Sequence, residues 1–203
     1  MKRLIFLFIV VCSVSCSKNK INLDYNTLSS YSIVTENETK YIADTLNVYL
    51  KKSFGIELPV ESNIKKNNYI HLKYDSKVKD DFISFNFSEN AITILANNNK
   101  MLAYGVYDFL EKYFGIRWYS TDLTLIPKLK EIEIFLSKEI IYKPPVTTRT
   151  VHSRLFYKDS SFADKLKVSN EAFPNYVPNA RVHTFHRFMP FEKFYLDHPE
   201  YYA

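Results

Sequence analysis

Two Phe-Gly-Ile triplets, Phe54-Gly55-Ile56 and Phe114-Gly115-Ile116, are near copies of each other, and each closes an amphipathic segment. They hold two of the three glycines in the 203-residue chain. Glycine is wanted where a helix ends in the left-handed conformation, and the apolar residue after it folds back on the last turn. In the first segment Thr35 and Glu38 have capping-box spacing. Ile42, Leu46, Tyr49 and Leu50 recur at helical intervals, which predicts a helix to about Ser53. In the second, Asn97-Asn98-Asn99 offers an N-cap, and Leu102, Val106, Phe109, Leu110 and Tyr113 form an apolar stripe to Phe114. Gly105, inside that helix, costs about 1 kcal/mol against Ala, and close packing against a sheet is the reason to expect it there. The shared ending is read as common cap chemistry rather than an internal repeat.

Between and around the helices lie strand signals. Residues 31–34 read as a short strand. Asn68 to Tyr74 and Phe82 to Phe87 alternate in polarity, and Ala91 to Ala96 is more apolar, so the three are expected to form an antiparallel meander. Ile132 to Phe135 adds a strand. The fold class expected is α/β: over residues 30–140, a small sandwich of a mainly antiparallel sheet with two helices on one face. Lys143-Pro144-Pro145 marks a boundary. Beyond it, Val146 to Val151 reads as a new strand, residues 156–178 as polar and irregular, and Phe191 to Ala203 as short helix.

The N-terminus reads as an address. Met1-Lys2-Arg3 is basic, Leu4 to Val11 is apolar, and small residues follow, as in a secretory signal. The apolar run is far below the roughly 20 residues that span a bilayer. Both cysteines, Cys12 and Cys16, fall in this segment. Residues 1–15 are expected to be removed and 16–29 to act as a tether. Loss of Lys2 and Arg3 from 27 basic residues leaves 25 against 22 acidic ones, a balance of +3. Charges are interspersed, so nucleic acid is not an expected partner. Three glycines also argue against a glycine-rich phosphate loop.

Candidate chemistry lies late in the chain. His183 and His186 are three apart, with His152 and His198 nearby in sequence, but no pattern supplies a clear third metal ligand, and no metal or cofactor is implied. Structural hydrogen bonding, and sugar or carboxylate recognition, are the other readings of these histidines. Arg149, Arg154, Arg181 and Arg187 carry the planar donor fork that reads carboxylates and hydroxyls, although surface ion pairs account for any one of them equally well. The acids beyond the boundary are Asp159, Asp164, Glu171, Glu192, Asp197 and Glu200, and nothing distinguishes a catalytic pair among them. GxSxG, CxxC, Walker and HExxH patterns are absent from the sequence.

Three segments carry resemblances. Ser13-Val14-Ser15-Cys16 resembles a bacterial lipobox with Ser in place of the commoner Leu, which implies a lipid on Cys16, anchorage in the cell envelope and a membrane as partner. Ordinary signal cleavage to a soluble periplasmic product is the alternative. The stretch NNNKMLAYGVYDFLEKYFGIRWY, residues 97–119, resembles the second helix of the accessory α/β domain that precedes the barrel in family 20 hexosaminidases and in α-glucuronidases, and LKKSFGIELPV, residues 50–60, fits the same domain. The ending ARVHTFHRFMPFEKFYLDHPEYYA, residues 180–203, resembles the opening of an uncharacterised barrel-like domain found after it in exported bacterial lipoproteins. The resemblance implies a glycan-acting context, with a glycan or oligosaccharide as partner. It makes residues 145–203 the N-terminal fragment of a glycoside-hydrolase-like domain and Arg149 the first sugar-binding candidate, ahead of His183 and His186. A complete (β/α)₈ barrel takes roughly 200–250 residues. The family's catalytic acids would lie on later barrel strands, so the chain is expected to lack them and to be inactive alone. A complete, non-catalytic glycan-binding or scaffold lipoprotein is the other expectation.

Overall fold

The computed structural model describes residues 20–146, 149, 151, 153–169 and 185–202. The chain opens with β1 (Lys20–Asp24) and a single helical turn, α1 (Tyr25–Ser29). Then come β2 (Ser32–Val34), a 3-10 turn at Asn37–Thr39, α2 (Lys40–Phe54) and β3 (Val60–Glu61). Next are β4 (Tyr69–Tyr74), β5 (Ile83–Phe87), β6 (Ala91–Ala96) and α3 (Asn99–Phe114). Four strands follow: β7 (Arg117–Trp118), β8 (Thr124–Leu125), β9 (Glu131–Phe135) and β10 (Ser137–Tyr142). Short helices end the described chain: α4 (Arg154–Lys158), α5 (Ser160–Lys165), α6 (Phe185–Phe188), α7 (Phe191–Phe194) and a 3-10 turn at Pro199–Tyr202.

The central sheet has six strands in the order β10-β5-β6-β4-β2-β3. It is an α/β sandwich, as expected, with α2 and α3 packed on it and on each other. The expected meander is not what forms. β6 enters between β4 and β5, pairing parallel with β4 (Ile70↔Ile92, Leu72↔Ile94) and antiparallel with β5 (Phe85↔Ile94). With β2 also parallel to β3 and β4, the sheet is mixed rather than mainly antiparallel. The reason lies in composition. β6, AITILA, carries no charge and is the most apolar of the three, so it takes a central place, while the more polar β5 lies nearer the edge.

The helices end where the sequence says. Gly55 and Gly115 are left-handed (φ 76° and 68°), and the Gly55 N–H donates to the Lys51 carbonyl at 3.0 Å. Ile56 and Ile116 fold into the core behind them. Asn98 caps α3, its side chain accepting the Met101 N–H at 2.9 Å. The capping box on the first helix does not form. The 3-10 turn intervenes, so Thr35 hydrogen-bonds Thr39 through their hydroxyls at 2.7 Å, and Glu38 instead accepts the Tyr74 hydroxyl at 3.0 Å.

Residues 20–29, expected to lie in a tether, belong to the folded body instead. β1 pairs antiparallel with β9 from Lys20↔Phe135 to Asp24↔Glu131, and Leu23 and Leu28 are each 1% exposed. The apolar side chains of an otherwise polar segment draw it in, because leaving them in water forfeits about 25 cal/mol per Å². Beyond β10, the expected strand over 146–151 does not appear at Val146, Arg149 or Val151, and the intervening residues lie outside the described ones. The stretch read as irregular contains α5, where Phe162 and Ala163 are buried. Asp159 starts it by accepting the Phe162 N–H at 3.0 Å. Among the described residues no helix is long and apolar enough to cross a membrane.

Candidate functional site

Helix α3 turns its apolar stripe to the sheet, and its opposite side receives the segment that follows β10. Lys167, in the left-handed region at φ 59°, donates from Nζ to Asp108 at 3.1 Å and to Glu111 at 3.0 Å. Burial alone would lower the pKa of this ammonium; the hydrogen bonds and charges of Glu111 and Asp108 outweigh it, so the net shift is upward. The Tyr104 hydroxyl donates to the Val168 carbonyl at 3.1 Å. Arg149 completes the attachment. Its Nε donates to the Lys167 carbonyl (3.2 Å) and Nη1 to the Val146 carbonyl (2.8 Å), and Nη2 lies 3.8 Å from the Asp81 carboxylate. The guanidinium sits over the Tyr104 ring. The fork expected to read a sugar is engaged with the chain itself.

The other sequence candidates fall elsewhere. His186 is exposed on α6. His183, Cys16, His152 and Arg181 lie outside the described residues. His198 stacks on Tyr201 (4.6 Å between centroids) and its Nδ1 is 3.0 Å from Glu200. Among the described residues no group of three or more His, Cys, Asp or Glu could hold a metal ion.

A cleft of about 560 Å³ opens between α2, α3 and α5. Tyr41 and Thr45 line it from α2, Asn99, Lys100 and Tyr107 from α3, and Ser161 and Asp164 from α5, over an apolar floor that includes Ile42 and Val106. The Tyr107 ring is held edge-on against Trp118, 5.4 Å between centroids. Trp118 is itself fixed, its indole N–H donating to the buried Tyr49 hydroxyl at 2.8 Å. Tyr41 is 54% exposed. Burial raises the Asp164 carboxyl above its ordinary range, with Lys100 pulling the other way. Burial also raises both phenols, and the negative charge of Asp164 adds to this at each, so they stay protonated donors. Asn99 Oδ1 is buried and, among the described residues, has no hydrogen-bond partner.

Sequence reasoning missed Tyr41 and Tyr107 and left Asp164 among six undistinguished acids. One signal was available: both tyrosines stand beside the apolar stripes of their helices, where a solvated helix face carries charge.

Residues 118–203 match a domain of unknown function, DUF4838. The match begins at Trp118 in β7, ahead of the Lys143-Pro144-Pro145 boundary. No curated protein matches the chain. Similar solved structures include the GH20 β-N-acetylhexosaminidase from Streptomyces coelicolor A3(2), at 15% identity over 65% of this chain and 25% of that one, TM-score 0.48. An inactive mutant of the GH20 exo-β-N-acetylglucosaminidase from Vibrio harveyi matches at 13% identity over 66% of this chain and 18% of that one, TM-score 0.45. A family GH115 4-O-methyl-α-glucuronidase with specificity for decorated arabinogalactans matches at 15% identity over 64% of this chain and 19% of that one, TM-score 0.44. The chain thus spans a quarter or less of the length of these structures.

Proposed function

We propose that this chain is a glycan-handling protein of the bacterial cell envelope, exported by its N-terminal signal and held by a lipid on Cys16, in which the sandwich serves as an accessory domain to the segment that follows it. The observation that carries this reading is α3. The stretch that resembles the accessory-domain helix of glycan-acting enzymes, residues 97–119, forms one continuous structural unit. Asn98 starts it, Gly105 meets the sheet, Gly115 ends it and Trp118 returns into the core.

The outer side of the same helix supports the accessory role. Tyr104, Asp108 and Glu111 grip the following segment at Val168 and Lys167. Arg149 belongs to that attachment, so its role here is positioning rather than sugar contact. His183 and His186 stay as the glycan contacts suggested by the ending that resembles the barrel-like domain. The described residues are assigned binding and support, not bond cleavage.

Two measurements test the reading. Mass spectrometry of the protein expressed in a bacterial host should find a diacylglyceryl group on Cys16, absent in Cys16→Ala; an unmodified, freely soluble product overturns the anchor. Affinity electrophoresis through gels containing different polysaccharides should retard the chain in at least one; unretarded migration in all of them overturns glycan handling.

A further inference from the structure

The α2–α3–α5 cleft carries polar groups that the fold leaves unused. Among the described residues, neither the Asp164 carboxylate nor the hydroxyls of Tyr41 and Tyr107 has a hydrogen-bond partner, although all three line one half-enclosed space. These groups keep contact with water in a half-enclosed space, so a ligand that meets them with matching donors and acceptors gains hydrogen bonds the fold itself does not use. The volume lies within the range of small-molecule sites, which are concave, largely apolar and furnished with a few convergent polar groups.

The balance of charge narrows the ligand. Asp164 faces the space with a negative charge and Lys100 with a positive one, so neither an anion nor a cation enters without meeting its like. The unused groups are one carboxylate, which only accepts, and two phenols, which accept or donate. Tyr41 and Tyr107 also offer ring surfaces from two different helices. A neutral ligand with an apolar face and several hydroxyls answers all of these at once.

We infer that this cleft is a binding site for a neutral saccharide, with Asp164 accepting hydrogen bonds from sugar hydroxyls and Tyr41 and Tyr107 lying along the C–H face of the ring. The inference rests on the glycan-handling reading above and gives it a location. Trp118 holds the Tyr107 ring in place before any ligand arrives, which lowers the entropic cost of binding.

The test is calorimetric titration of the full chain in detergent with cellobiose and with N,N′-diacetylchitobiose, and with digalacturonate and glucosamine as the charged counterparts. At least one neutral disaccharide is expected to saturate with Kd in the range of roughly 0.1–10 mM, and both charged probes to bind more weakly. Asp164→Asn and Tyr41→Ala should each raise Kd about tenfold. Both positions face solvent, and near-ultraviolet circular dichroism checks that each variant keeps its fold. Asp44→Asn, elsewhere on α2, should leave Kd unchanged. Saturable binding that ignores Asp164→Asn and Tyr41→Ala overturns this site and leaves the glycan reading standing on another surface. Absence of saturation by either neutral disaccharide up to about 50 mM, well beyond the expected Kd range, overturns the site as well. Retardation in the polysaccharide gels then decides separately whether glycan handling survives.

Discussion

Gly105 stands so close to Ile94 that a methyl group on its Cα would lie 2.8 Å from Ile94 Cγ2, with Ile83 Cγ2 at 3.0 Å. Those methyls branch from Cβ and cannot swing aside without leaving their rotamers. The separation between α3 and the sheet is therefore set at a single residue lacking a side chain.

Gly105→Ala is accordingly expected to destabilise the chain. The gain in helix propensity is about 1 kcal/mol, and the overpacking it forces costs typically 1–3 kcal/mol. Denaturant unfolding should show a net loss of up to about 2 kcal/mol. An increase in stability would mean that α3 rides further from the sheet than the Ile94 contact indicates.

The bond from the Trp118 indole to the Tyr49 hydroxyl links β7, just beyond α3, to α2. Trp118→Phe leaves the buried Tyr49 oxygen without its donor, at a cost of about 1–3 kcal/mol. Tyr49→Phe in the same chain should recover part of that loss, with a coupling of about 1 kcal/mol in the double-mutant cycle. Strict additivity would show that the two rings act only through packing.

Lys167→Met removes the cation that Asp108 and Glu111 share, leaving Asp108 its second partner, Lys112. The site is intermediate between a surface pair and a buried one, so a loss of about 1–3 kcal/mol is expected. Limited proteolysis should then cut after β10 before the sandwich is touched. Unchanged protease resistance would count against this attachment. The raised pKa of Lys167 sets the pH dependence. Its contribution is complete below the ordinary lysine pKa and fades as alkaline pH passes through the folded value, so wild type and Lys167→Met should converge there.

Asp164 should work against stability at neutral pH. Its folded pKa is raised, so it favours the folded state fully only below the ordinary carboxyl value near 3.8 and progressively less as pH rises through the folded value. Asp164→Asn lacks that loss. The melting temperature of the variant minus that of wild type should therefore increase from pH 3 to pH 7, while saccharide binding falls. A difference that stays flat with pH would remove the half-buried carboxylate from the account.

The sequence expressed the helices better than the sheet. Stripe, caps and stop signals are local, and Leu46, Leu50, Leu102 and Val106 face inward as their spacing requires. Strand order is non-local. Alternation in 69–74 and 82–87 separated the two faces of each strand, and it could not tell that β6 would enter between them. Leu23 and Leu28 were overlooked for a related reason: the alternation Ile21-Leu23-Tyr25 is short and set in a polar decade, and only β9 supplies the partner strand that makes it part of a sheet. The cleft was illegible because its walls come from residues 41, 107 and 164, which meet only once three helices pack. Arg149 was expected to face a sugar because of its planar donor fork, and residue type alone could not tell that the fork would meet the Lys167 and Val146 carbonyls.

The ribbon of β1 and β9 fixes an order of events for a chain made from its N-terminus. Lys20 and Glu133, which pair across it, are 113 residues apart. Closing so long a loop is slow relative to local helix formation. Leu23 and Leu28 therefore emerge early and stay uncovered until nearly the whole sandwich has been synthesised. Through that interval the N-terminal strand stays without its partner, the form in which the export proposed above would thread it through a narrow pore.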